Sequence, residues 1–466
     1  MKKSDFRKYS DQANDWIENY FETLADQPVR AQVAPGDIAA RLNASPPEKS
    51  ESMHDILEDF GKTIPDGITH WQHPRFFAYF NANATPPSMI AEQLVNAIGS
   101  QCMLWQTSPA ATELEQVVVD WCRQAVGLSD GFKGVIQDSA SAATLTAVLT
   151  MRERSQNFEG NKVGYAGAKP ARIYSSAQVH SSIDKACWIA GIGQDNLVKI
   201  DTDDNFGMRP EALRAAIEAD IANGFKPAGL ILCIGGTAIG ASDYMPPLIK
   251  IAKEYDLYIH VDAAWAGTAM ICPELRPLWE GVTEADTIVF NPHKWMGVNF
   301  DCSIQFLKDP TPQIRTLGIK PSYLHSANED QIVNFSEWTI PLGRRFRALK
   351  LWFVMRAYGL EGLRKVIRNH IAWTKELEAE IAQLQNFRIV TESRLALFTF
   401  QYCPKNQDAR EATADLLTRI NDDGRIYLTQ TETGGEYVIR FTCGTFDCTR
   451  DDVLSVLDIL KEMTNP

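Results

Sequence analysis

Lys294, in FNPHKWMGVNFDCS, is the residue best placed to act as a nucleophile: a β-branched apolar run ends just before it, and His293 and Trp295 flank it. Ordinary lysines sit on solvated helix faces. A lysine at the carboxyl end of a sheet strand, among aromatic neighbours, loses its proton more readily and can form an imine with a carbonyl compound. Asp262, in YIHVDAAWAG, follows another apolar run and precedes Ala263 and Ala264. A buried carboxylate there needs a cationic partner, and small neighbours leave room for a flat one, which a protonated pyridine ring satisfies. In GVIQDSASAATLTAVL a strand passes through Ser139, Ala140 and Ser141 into a helix whose free N–H groups suit a phosphate. His180, in YSSAQVHSSIDKA, projects from a further strand end and has the size to stack on a ring. Taken singly, these read as a solvated lysine, a turn-capping Asp, a plain serine N-cap and a structural histidine. All four fall at the carboxyl ends of strands in one sheet, where open α/β folds bind ligands, and together they describe a pyridoxal 5′-phosphate (PLP) site.

Positioning them requires a parallel sheet covered on both faces. Short β-branched runs at Gly134–Ile136, Arg172–Tyr174, Leu197–Ile200, Gly229–Ile234, Leu257–Val261, Thr287–Phe290 and Ser303–Leu307 alternate with helical patterns, among them Ser108–Val126, opened by a Ser108-Pro109 cap, and Ala142–Arg154. The expected fold is α/β: a large, seven-stranded, mainly parallel domain over residues 85–350, a helical arm over 1–84, and a small α+β domain over 351–466. In the arm, Phe6, Tyr9, Trp16, Ile17, Tyr20 and Phe21 share one face of a helix over residues 4–25, too apolar to stand alone. An extended linker with Pro35, Pro46 and Pro47 follows, then a short helix near Met53–Phe60. After Pro341 a long helical pattern breaks at Tyr358-Gly359. Gly434-Gly435 signals a hairpin between Ile426–Thr429 and Tyr437–Phe441, and Thr449 with Asp452 forms a capping box before a last helix from Asp451.

The 466 residues are 45% hydrophobic and 23% charged, which suits a multidomain globular chain. A net charge of −13, with no basic run to offset it, disfavours nucleic acid and anionic lipid as partners. The nine cysteines are scattered without a CxxC pair, and this reads as reduced, cytoplasmic usage with no zinc-ligand spacing and no metal. No apolar signal segment opens the chain and no run reaches membrane-span length, so a cytoplasmic location is expected.

The motifs resemble those of the group II PLP-dependent decarboxylases, most closely the aromatic-L-amino-acid decarboxylases. The resemblance runs through THWQHPRFFAYF, SPAATELEQVVVDW, GVIQDSAS, VHSSIDKA, HVDAAWAG, NPHKWMGVNFDCS, SYLHSA and WTIPLGRRFRALKLWF. It implies a PLP-dependent transferase fold of type I and an obligate homodimer with active sites at the subunit interface, the arm wrapping the partner. It also implies that Lys294 carries the cofactor, Asp262 pairs with the pyridine nitrogen and His180 stacks on the ring. Ala140, Ser141, Asn291 and His293 would surround the phosphate, Thr237 would lie near the ring oxygen, and Ala264 would pack beneath the ring. Tyr323, in KPSYLHSA, matches the family's mobile-loop tyrosine and would protonate the substrate Cα.

Trp71, Tyr79, Phe80, Ala82, Gln101, Met103 and Phe300 fall where the family lines its substrate pocket, although such aromatic clusters also read as core. Asn81-Ala82 stands where Pro-Thr is common in the animal enzymes, Gln101 and Met103 replace bulkier residues, and Trp265 takes a position often held by Tyr. The reaction implied is decarboxylation of L-DOPA, tyrosine, tryptophan, 5-hydroxytryptophan or phenylalanine to the amine plus CO2. A smaller or polar substrate, histidine or 2,4-diaminobutyrate, is the alternative that Gln101 and Asn81 favour. An oxidative aldehyde synthase is another, though relatives that make aldehydes tend to replace the Tyr323 or His180 equivalent, and both are present.

Overall fold

The seven apolar runs become strands of one sheet in the computed structural model, which describes residues 1–319 and 332–464. They are β1 (Lys133–Gln137), β2 (Ala171–Ser176), β3 (Leu197–Ile200), β4 (Lys226–Cys233), β5 (Tyr258–Asp262), β6 (Thr287–Phe290) and β7 (Ser303–Leu307), in the order β1-β7-β6-β5-β4-β2-β3. Strands β6, β5, β4, β2 and β3 pair in parallel, while β7 is antiparallel to both β6 and β1. Only β7 is therefore reversed, and six strands present their carboxyl ends along one edge. Every residue of β5, β6 and β7 is buried, so these strands read as continuous apolar runs rather than alternating ones.

Several boundaries differ from those expected. Strand β4 starts at Lys226, ahead of Gly229, and its register against β2 shifts beside Pro227, which has no N–H to give the ladder. Strand β5 extends to Asp262, which still pairs with Cys233 and Val289. The helix Ala140–Ser155 begins two residues early because the Ser139 hydroxyl accepts the Ala142 N–H at 3.2 Å. Ser108 precedes the helix Pro109–Val126 without capping it; its hydroxyl takes a hydrogen bond from Ser100 at 2.8 Å, and Pro109 supplies the preset first turn. At the far end of this sheet domain, a buried Arg344–Glu115 ion pair at 2.6 Å pins the chain before the helix Arg347–Ile381 to β1. Glu115 accepts the Ile136 N–H, and Arg344 donates to the Ile136 carbonyl, each at 2.8 Å.

The chain divides into two compact units, residues 82–369 with this sheet, and residues 1–81 together with 370–466. In the second unit, β8 (Phe387–Arg394), β9 (Leu397–Tyr402), β10 (Thr429–Thr433) and β11 (Glu436–Thr442) form an antiparallel sheet in the order β10-β11-β9-β8. Gly434 and Gly435, at φ 58° and 81°, make the two-residue turn of the hairpin. Its first strand begins at Thr429 rather than Ile426 because the Asn421 side chain bonds both the N–H and the carbonyl of Leu428, at 3.1 Å each. The expected break at Gly359 is present, with φ 62° and ψ 170° inside the helix Arg347–Ile381, and Thr449 and Asp452 cap the helix Arg450–Thr464 reciprocally.

The amino-terminal helix Phe6–Thr23 buries none of its residues, and its Trp16 packs at 4.9 Å against Phe60 of the helix Met53–Thr63. The linker expected to be extended contains a short helix, Asp37–Arg41, where Asp37 accepts the Ala34 N–H at 2.8 Å. Val29, Phe76 and Ala78 share a buried cluster with Tyr427, so the segment expected as an arm contributes to a core with the carboxyl-terminal residues. Among the described residues no helix is long and apolar enough to cross a membrane, and no His, Cys, Asp and Glu group could hold a metal ion.

Candidate active site

All four chemistry-bearing segments belong to the larger unit and lie at the same sheet edge. Asp262 ends β5 with 6% exposure, and its Oδ1 accepts the Ala264 N–H at 3.0 Å, so the turn through Ala263 and Ala264 wraps its own carboxylate. Two residues back along β5, His260 is buried between Thr287, 2.5 Å from its Nδ1, and Thr144, 3.3 Å from its Nε2. Burial pushes its pKa down to about 4, so the layer behind Asp262 is hydrogen-bonded and uncharged.

Past the end of β2, His180 accepts the Ser182 N–H on Nδ1 at 3.1 Å, with the Ser182 hydroxyl 2.8 Å from the same atom. A neutral ring so held carries its proton on Nε2. The imidazole is exposed by area yet lies in a recess crowded enough that desolvation leads the causes lowering its pKa. The Asp262 charge opposes that shift and the Lys294 charge adds to it, so both side chains lie within electrostatic reach of His180.

Lys294 sits in the single helical turn Pro292–Trp295 after β6. Its N–H donates to the Asn291 carbonyl at 2.9 Å, and its own carbonyl accepts from the Asn83 side chain. Trp295 stacks on Trp265 with ring centres 4.8 Å apart, so the residue after the lysine is locked to the turn that follows Asp262. His293 accepts the Cys302 N–H on Nδ1 at 3.0 Å, and burial, with the Lys294 charge, pushes its pKa to about 3. Asn291 accepts the Ser303 hydroxyl at 2.5 Å. Ala140 and Ser141 form the first turn of the 16-residue helix after β1, where amide N–H groups are free of intrahelical partners.

Thr237 and Ala264 are half-buried at the ends of β4 and β5. The Thr237 turn is closed by Gly236 N–H to the Ala241 carbonyl at 2.8 Å and braced by Asp243. That buried carboxylate accepts the N–H groups of Met208 and Cys233, at 2.8 and 2.7 Å, and burial raises its pKa to about 6. Sequence reasoning passed over Asp243, Asn83, Ser182 and Ser303. Ser182, two residues from His180, was within reach of a local-motif reading; the other three act across folded distance.

The residues expected around the substrate are divided. Phe300 is 64% exposed with its ring 4.7 Å from His293, and the next residue, Asp301, is held by Arg347 at 2.9 and 3.0 Å. Burial would raise the Asp301 pKa, but the Arg347 hydrogen bond and charge outweigh it and keep the carboxyl below its usual range. Gln101 is tied to the Arg344 N–H at 2.7 Å, and the Met103 carbonyl accepts the Ser336 N–H at 3.1 Å, which places both on a loop fastened to the 334–344 segment. Ala82 is half-buried near the start of this unit. Trp71, Tyr79 and Phe80 belong to the other unit, where Trp71 stacks on Phe76 at 4.6 Å and Arg440 lies 4.8 Å from the Phe80 ring. Tyr323 lies outside the described residues.

The donor set fits pyridoxal phosphate: a carboxylate buried at a strand end, a primary amine, an imidazole within electrostatic reach of both, and a helix start, all on one sheet edge. Comparison with known proteins agrees. Residues 35–403 match the pyridoxal-dependent decarboxylase conserved domain. Tyrosine decarboxylase 2 of Arabidopsis thaliana is 40% identical over 447 residues, covering 92% of this chain and 81% of that protein. Phenylacetaldehyde synthase of the same plant is 38% identical over 457 residues, covering 95% and 92%. The crystal structure of Oryza sativa TDC with PLP and tryptamine superposes with a TM-score of 0.96 at 31% identity, covering 100% of this chain and 98% of that one. With its lysine, carboxylate and helix start arranged along one sheet edge and a family match over most of its length, the chain belongs to the pyridoxal-dependent decarboxylases.

Proposed function

We propose that this protein removes the carboxylate of an aromatic L-amino acid, releasing CO2 and the corresponding amine. The observation that carries this reading is the grouping of Lys294, Asp262 and His180 at the carboxyl edge of the sheet. Bound there, PLP supplies an electron-poor ring that accepts the electron pair left when CO2 departs. Lys294 offers the amine for its attachment, and Asp262 holds a proton on the pyridine nitrogen. His180, neutral and oriented through Ser182, presents an aromatic face without adding a second positive charge beside Lys294. The first turn of Ala140–Ser155, with Asn291 and His293, receives the phosphate, and Thr237 and Ala264 bound the ring. For the substrate pocket we infer Ala82, Gln101, Met103 and Phe300 of the larger unit, with Tyr323 as the acid at Cα.

Tyrosine in the name of one relative and tryptamine bound in the rice structure both favour aromatic substrates. A polar substrate is less well served than the sequence suggests, because the Gln101 carbonyl is spent on Arg344 and the Asn81 amide donates to Thr445 at 2.7 Å. A relative named phenylacetaldehyde synthase keeps aldehyde formation as a second reading. We further propose a homodimer, since the unburied helix Phe6–Thr23 leaves Phe6 and Phe21 exposed, and a cytoplasmic location, in keeping with nine unpaired cysteines. Incubating PLP-loaded enzyme with L-DOPA, tyrosine, tryptophan, 5-hydroxytryptophan, phenylalanine and histidine, and scoring amine, CO2 and peroxide together, is the test. Amine equimolar with CO2 from an aromatic substrate is expected. Aldehyde with peroxide would select the second reading, and turnover of histidine alone would overturn the aromatic one.

A further inference from the structure

A polar cavity of about 630 Å3 opens at the amino end of β4, on the sheet edge opposite the cofactor residues. Three cations line it, Arg154, Lys226 and Arg315, against one carboxylate, Asp256. In a chain of net charge −13 such a local surplus of positive charge stands apart.

The three cations are held in place rather than left loose. The Arg315 guanidinium lies 4.1 Å from the Phe158 ring centre and that of Arg154 lies 5.5 Å from Tyr258. A guanidinium stacked on a ring keeps its in-plane N–H edge for an oxyanion. Lys226 donates to the Ser155 carbonyl, which uses one of its three protons. At the helix ends beside the cavity Lys226 caps the last carbonyl, that of Ser155, while Phe158 N–H bonds the Glu153 carbonyl at 2.7 Å and Leu257 N–H the Ala252 carbonyl at 2.9 Å. Helix capping therefore accounts for one proton of Lys226 and assigns no such role to Arg315. The ion pair of Arg154 with Asp256, at 3.2 Å, involves a carboxylate side chain 92% exposed, and water screens it.

Two helices end at the cavity in left-handed turns. Asn157, Phe158 and Asp256 have φ of 52°, 62° and 53°, three of the six non-glycine residues with positive φ among the described residues, and all three line this cavity. The Phe158 and Leu257 N–H groups close these turns back onto Glu153 and Ala252, the ordinary left-handed ending of a helix, so the conformations belong to helix termination. Here it sets Phe158 beneath Arg315.

We propose that this cavity binds a small phosphate monoester, separately from the cofactor. Two negative charges match the surplus of two cations, a tetrahedral oxyanion can take donors arriving from three different elements, and the rings of Phe158 and Tyr255 offer walls for the ester group.

The test uses the PLP-saturated enzyme, in which the cofactor's own phosphate site is filled. Calorimetric titration with phenyl phosphate and with inorganic phosphate, at ionic strength fixed with chloride, is expected to show one saturable site per chain, tighter for phenyl phosphate. Arg315→Gln and Lys226→Met should each weaken it by about tenfold or more while PLP content and amine production stay at wild-type levels. Arg315→Lys, which keeps the charge and loses the planar fork, should be intermediate and serves if Arg315→Gln does not fold. Absence of saturable binding, equal affinity for the two probes, or variants that bind like the wild type would overturn the proposal.

Discussion

Lys294 was recognisable because its neighbours announce it: an apolar strand before, His293 and Trp295 beside it. The same holds for Asp262 and His180, each of which carries its context within a few residues. The side chains that fix these groups were not recognisable, because they arrive from elsewhere. Asp243 reaches back to Cys233, Asn83 crosses to the Lys294 carbonyl, and Arg347 clamps Asp301 from 46 residues away. Nothing local distinguishes such an Asp or Arg from a surface one until the chain has folded. At this scale Lys294→Ala is expected to abolish amine formation, and borohydride reduction of the wild-type holoenzyme followed by peptide mapping should place a pyridoxyl group on Lys294. Wild-type turnover by the variant, or a label elsewhere, would remove this residue from its role.

At the scale of elements, the strands were legible because both faces of the sheet are covered, leaving unbroken apolar runs. Their ends were less so, since each depends on a particular bond: Ser139 to Ala142 starts a helix early, and Asn421 to Leu428 starts a strand late. The joint between β1 and the chain ahead of Arg347 rests on Arg344 and Glu115, whose side chains are 2% and 3% exposed. Arg344→Met leaves the Glu115 carboxylate buried without its partner and should cost about 3–5 kcal/mol. Adding Glu115→Gln removes the charge while keeping an acceptor for the Ile136 N–H, and should recover a large part of that loss. Urea unfolding of wild type, single and double variants measures both; equal losses in the two variants would rule out the stranded charge as the cause.

For the whole molecule, acid sensitivity follows from its histidines. Burial pushes His73 and His260 to about 4 and His293 and His370 to about 3, from an ordinary value of 6.5. The unfolded chain takes up these protons below pH 6.5 and the folded one does not, so their contribution is complete above 6.5 and is lost as pH falls toward 3–4. Each group removes roughly 1.4 kcal/mol per pH unit across that window. Asp243, raised to about 6 by burial, works the other way, adding stability at low pH that is lost as pH rises through about 6. Six histidines of the described residues are depressed, His70 and His180 included, against three raised carboxyls, those of Asp243, Asp286 and Asp447, so the melting temperature should fall from pH 7 to pH 5; a level profile would contradict the buried, neutral state of these rings. The division into units was the least legible feature, because residues 1–81 join 370–466 through packing that no single stretch encodes. The reversed direction of β7 carries a consequence of its own. Since β6 and β7 pair antiparallel from Phe290 and Ile304 outward, the lysine rides on a bridge of twelve residues moored at both banks. That span is held by the bonds of His293 to Cys302, Asn83 to Lys294 and Ser88 to Asn299, so adding or removing one residue between Trp295 and Cys302 would break these ties and displace the amine even with every side chain in the site kept.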